Sequence, residues 1–77
     1  NLERAWDTDI TCTNATLAYI LSELKITYNV DFEVNPKYLK EHYTVTLPKD
    51  NLPSCISILS SVSAKKFRLK NNVIVLE

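Results

Sequence analysis

From Asp9 to Thr13 apolar and polar residues alternate, with Ile10 and Cys12 on one side and Thr11 and Thr13 on the other. That two-residue period predicts a half-buried strand. The period then lengthens. Leu17, Ile20, Leu21 and Leu24 fall at i, i+3, i+4 and i+7, one stripe of a helix that Thr16 can cap and that ends near Thr27. Alternation returns over Val30–Val34, a second strand. The stretch "NPKYLKE" reads as a turn with one helical loop, because Pro36 fixes its own φ and disfavours helix at Asn35. Tyr43–Leu47 alternates as a third strand and stops at Pro48. Asn51 caps a second helix, Pro53 lies in its first turn where a missing N–H costs little, and Leu52, Cys55, Ile56 and Leu59 form its stripe. "FRL" is a fourth strand, Asn71-Asn72 a two-residue turn that accepts positive φ, and "VIVL" a fifth strand.

The resulting order, β-α-β-β-α-β-β, contains a repeat. An offset of 35 residues pairs Ile10 with Val45, Cys12 with Leu47, Leu17 with Leu52, Leu21 with Ile56, Leu24 with Leu59 and Phe32 with Phe67. Thr11 falls on Thr46. The fold class expected is α+β, two copies of one β-α-β unit, each needing the other to bury its helix stripe. Asn1–Thr8 shows no clean period and reads as a lead-in, leaving 9–77 as the domain.

Composition narrows the function. The 77 residues are 45% apolar and 23% charged, ordinary globular values. No apolar run is long enough to span a bilayer, and no basic segment precedes an apolar one as in a signal peptide. The abrupt start at Asn1 suits a piece of a longer protein. Nine basic residues balance nine acidic ones, which disfavours nucleic acid as a partner. Glycine is absent where average usage gives about five. A P-loop, a dinucleotide fingerprint and a nucleophile elbow each need glycine backbone, so those sites are excluded.

Candidate chemistry is sparse. His42 is the only histidine, and it has no base, nucleophile and orienting partner around it in sequence. We read it as solvated surface, and expect neither catalysis, cofactor nor metal. Cys12 and Cys55 lie on apolar faces and read as two buried thiols rather than a disulfide. Lys65, Lys66, Arg68 and Lys70 form a short basic run. Alternation puts Lys66, Arg68 and Lys70 on the face opposite Phe67 and Leu69, either a solvated strand face or a patch for an acidic partner.

A resemblance gives these surfaces a context. A strand, then "NATL" opening a helix that runs through "LSEL", an extended "VDFEV", and a closing hairpin "FRLKNNVIVL" are similar to the secretin/TonB short N-terminal (STN) fold. The pattern resembles most the C-terminal STN-like domain of FecR-like transmembrane anti-sigma factors of Bacteroidota. Ala64 and Asn72 stand where that family usually carries glycine, and Cys12 where many members have a larger apolar residue. The resemblance implies a non-enzymatic periplasmic protein–protein interaction domain of an inner-membrane protein. It would relay a signal from the signalling domain of a TonB-dependent outer-membrane transporter to a sigma factor. The alternative is the N-terminal signalling domain of a transporter or secretin itself. A ferredoxin-like ligand-binding or RNA-binding domain shares the element order, but the aromatic–glycine strand signature and the GxxG loop of RNA binders are missing.

Two candidate contact surfaces follow. Val73, Ile74, Val75 and Leu76 are apolar on both faces of their strand, which calls for cover on both sides. We expect this closing strand to offer a free edge to the partner, with Lys66, Arg68 and Lys70 beside it; the alternative is a strand already central in its own sheet, with no edge to offer. Tyr19 and Ile26 lie on the side of the first helix opposite its stripe. The sandwich arrangement of the family favours their being covered, by a second small sheet or by the lead-in with Leu2 and Trp6.

Overall fold

The periods fold as they read. The computed structural model describes residues 9–76, with the order β1 Asp9–Thr16, α1 Leu17–Tyr28, β2 Asp31–Glu33, α2 Pro36–Leu39, β3 His42–Pro48, α3 Leu52–Ser63, β4 Phe67–Lys70 and β5 Val73–Leu76. The lead-in containing Leu2 and Trp6 lies outside the described residues. The class is α+β. The one helical loop expected after Asn35 is the single turn α2, whose cap side chain accepts the Lys37 N–H at 3.0 Å.

The repeat governs the architecture. Helices α1 and α3 have 12 residues each. The 35-residue offset maps the cap Thr16 onto the cap Asn51, and each cap's side chain accepts the N–H three residues on. It also maps Asn29 onto Ala64, the residues that end the helices in left-handed conformation at φ 58° and 57°. β1 and β3 pair antiparallel with Thr11 opposite Thr46, and with Ile10–Leu47 and Cys12–Val45 on either side. The offset exchanges those two flanking pairs and maps Thr11 onto its own partner. A local two-fold axis therefore passes through the Thr11–Thr46 pair.

β1 runs three residues further than the alternation predicts. Its register shifts between Cys12 and Ala15. Asn14 there takes φ 49° and donates its N–H to Thr44 Oγ1 at 3.0 Å. A bulge breaks the two-residue period, so a reading by alternation stops where it begins.

The second sheet has the order β2-β5-β4, with β5 parallel to β2 and antiparallel to β4. This corrects the expectation for the closing strand. Val73–Leu76 is the middle strand and has no free edge to offer. It fits between strands from the two repeats, with Ile74 level with Phe32 on one side and Leu69 on the other. Its apolar character on both faces belongs to that central position.

The helices lie between the sheets, α1 against β1 and β2, α3 against β3 and β4. Leu17, Ile20, Leu21 and Leu24 of α1 and Cys55, Ile56 and Leu59 of α3 are buried in one core with Phe67 and Ile74, while Leu52 and Phe32 are partly buried against it. Cys12 and Cys55 are buried free thiols, and burial pushes both above the usual thiol range.

A polar knot ties the repeats together beside this core. The Tyr28 hydroxyl donates to the Pro48 carbonyl and accepts the Asn51 N–H at 3.1 Å. The Cys55 thiol donates to the same Pro48 carbonyl at 3.1 Å. The end of one helix is thus fastened to the start of the other.

Candidate interaction surface

The β4–β5 hairpin sets the geometry of the candidate site. Asn71 and Asn72 take φ 52° and 64°, a type I′ turn, whose twist matches that of the strands it joins. Such a turn makes Lys70–Val73 a hydrogen-bonded pair, and pairs of that kind recur at every second residue, next at Arg68–Val75. The N–H and C=O groups of Phe67 and Leu69 consequently point away from β5, to the outer edge of β4. Ser60 Oγ accepts the Phe67 N–H there at 3.0 Å. Leu69, 40% exposed, presents its backbone at the same edge. A shallow depression of about 470 Å³ lies alongside, lined by Arg68, Leu69, Lys70 and Val75.

Register also fixes which side chains share a face, because partners across a ladder point the same way. Phe67, Leu69, Ile74, Leu76 and Phe32 are on the side facing the helices. The outward side carries two rows, Asp31–Val73–Lys70 and Glu33–Val75–Arg68. Acid lies along one margin, valine along the middle and base along the other. Lys25 reaches Asp31 at 3.5 Å in an exposed pair, which contributes little to stability.

The structure divides the residues singled out from sequence. Arg68, Lys70, Val73 and Val75 share the outward face. Lys66 is exposed just before β4. Ile74, 1% exposed, is core, and Leu76 is partly buried against the core. Tyr19 and Ile26 are 52% and 79% exposed on α1, apart from this sheet; the second sheet does not cover them, and the lead-in, the other cover expected, lies outside the described residues. His42 is exposed at the start of β3. Among the described residues no three side chains of metal-binding type cluster.

Lys65 leaves the basic run. Its Nζ lies 2.9 Å from Glu41 Oε1 and 3.4 Å from the Tyr43 hydroxyl, and the same hydroxyl donates to Glu41. The Lys37 and Lys65 ammoniums each lie over the Tyr38 ring, at 5.0 and 5.1 Å from its centre. The Tyr43 and Lys65 bonds hold the Glu41 carboxyl below its usual range, and the bond to Glu41 raises Lys65. This cluster fastens α2 to β3 and to the segment after α3. The sequence reading missed Asp31, Glu33 and Leu69. Alternation in "VDFEV" already placed the two acids on one face, but only the order of the second sheet opposes them to Arg68 and Lys70.

The fold recurs in known proteins. Two crystal structures of candidate anti-sigma factors from Parabacteroides distasonis superpose with TM-scores of 0.76 and 0.76 at 14% and 15% identity. They cover 96% and 95% of this chain but only 36% and 35% of those proteins. The chain thus spans about a third of their length. No curated protein matches the sequence. The FecR C-terminal family matches residues 9–76, every residue whose structure is described, and the chain belongs to that family.

Proposed function

We propose that this domain is the periplasmic C-terminal sensor of a FecR-like anti-sigma factor. It takes a signal from a TonB-dependent outer-membrane transporter and relays it toward a sigma factor by protein contact, without catalysis. The observation that carries this reading is the FecR C-terminal match over residues 9–76, which favours the anti-sigma side of the pair over the transporter side. The fold shared with larger candidate anti-sigma factors supports it. Among the described residues no helix is long and apolar enough to cross a membrane; a membrane anchor in the parent protein is part of the proposal.

The contact is assigned to the β4 edge, where Leu69 presents backbone groups and Arg68 and Lys70 flank the depression. An extended segment of the transporter's signalling domain would pair with that edge. The test is a titration of the domain with that signalling domain, repeated with Arg68→Glu/Lys70→Glu and with Tyr19→Asp. The double variant is expected to bind at least tenfold more weakly while keeping its melting temperature. Full binding by the double variant with loss in Tyr19→Asp moves the contact to α1. In cells, sigma-dependent transcription that ignores deletion of residues 9–76 from the parent protein overturns the sensor role itself.

A further inference from the structure

The outward face of the second sheet has a symmetry that the proposed relay does not use. Its rows read acid–valine–base twice, Asp31–Val73–Lys70 and Glu33–Val75–Arg68. A two-fold axis parallel to β5, placed between two such faces, exchanges left and right margins and keeps each row level with itself. Asp31 of one copy then opposes Lys70 of the other, Glu33 opposes Arg68, and the valines meet along the axis. We infer that this face is a self-association surface, and that its occupant is a second copy of this chain packed face to face.

Three observations carry the inference. A two-fold contact requires a self-complementary patch, and this one is complementary in charge as well as in its apolar centre. Val73 and Val75 are apolar at outward positions, where the outward positions of β1 and β3 hold Thr11, Thr13, Thr44 and Thr46. Both valines remain partly exposed, so a second copy has apolar surface left to cover. Finally, nine basic and nine acidic residues leave no net charge to hold copies apart.

The patch is three strands wide and two rows long. That is well under the roughly 800 Å² per partner of a stable complex, so the contact belongs to the weak, transient class. Arg68 and Lys70 serve both this face and the β4 edge, so a second copy and a strand partner exclude one another. The self-association requires no transporter, and it stands or falls independently of the relay.

The test is sedimentation equilibrium of the 77-residue chain up to about 1 mM, the range in which so small a contact becomes visible. It is run on the wild type, on Asp31→Lys, on Lys70→Glu, and on an equimolar mixture of the two variants. Each variant alone opposes like charges twice per dimer and is expected to associate about tenfold more weakly. In the mixture the two substituted positions face each other with opposite charges, as do the unchanged Lys70 of one variant and Asp31 of the other. The mixture is therefore expected to regain wild-type association. Added salt should weaken the wild type. Thermal melts of both variants confirm that each remains folded. A wild type that stays monomeric throughout, or a mixture no stronger than its components, overturns the proposal.

Discussion

A chain with no glycine must place other residues wherever its backbone turns left-handed. Five described positions have positive φ, Asn14, Asn29, Ala64, Asn71 and Asn72. Four are asparagine, whose short polar side chain tolerates that region. Ala64 is the exception, a β-carbon held at φ 57° to end α3. Ala64→Gly should relieve that strain and raise stability by about 0.5–1 kcal/mol, despite the freedom glycine adds to the unfolded chain. Denaturant midpoints compared at constant m-value measure it; a decrease would show the alanine unstrained. Tyr28 gives a second prediction at this scale. Burial, then the Cys55 sulfur 3.5 Å from its hydroxyl, pushes its pKa up to about 12 from the ordinary tyrosine value of 10.0. A raised pKa means that the folded state holds the proton where the unfolded state releases it. The stabilisation is therefore complete below about pH 10 and is lost as pH rises toward 12. Tyr28→Phe should flatten that alkaline decline and cost about 0.5–1.5 kcal/mol at neutral pH, because the hydroxyl's bonds to the Pro48 carbonyl and the exposed Asn51 N–H are lost. Phenolate absorbance against pH, with melts of both proteins, checks the assignment.

At the scale of elements, α1 and α3 are one design used twice, so equivalent positions should have equivalent energies. Leu24 and Leu59 correspond under the offset and are both fully buried. Leu24→Ala and Leu59→Ala should each cost about 2–5 kcal/mol, and urea melts showing under about 1 kcal/mol for both would contradict the packing described. The helices, their caps and the alternating strands were legible in sequence because each is specified by residues within a few positions of one another. Strand neighbours are not specified that way. Nothing in the spacing of Val73–Leu76 says whether it lies at an edge or in the middle. Apolar residues on both its faces were compatible with a partner strand or with central placement, and the structure shows the second. The same limit hid the acid–valine–base rows, which exist only once β2 and β4 flank β5. The β1 bulge escaped because it interrupts the period by which strands are recognised.

For the whole molecule, the two-fold relation through Thr11 and Thr46 means that neither repeat is a folding unit. Residues 1–41 contain β1, α1, β2 and α2 but lack β3 and β5, the strands that β1 and β2 pair with. That fragment should be unfolded alone by circular dichroism, and mixing it with 42–77 should restore helical signal. A cooperative melt of 1–41 by itself would refute this. The position of β5 has a temporal consequence too. A polypeptide emerges N-terminus first, and here the last of the described strands to emerge belongs in the middle of its sheet. Until Val73–Leu76 is available, β2 and β4 have no strand between them to pair with, and the pairing that closes the sheet spans about 40 residues of chain. The earlier segments therefore cannot lock into a finished domain ahead of it. The expected order of events is thus the reverse of the spatial one: the strand at the centre of this sheet is the last of the described strands to become available, and the sheet closes only when it arrives.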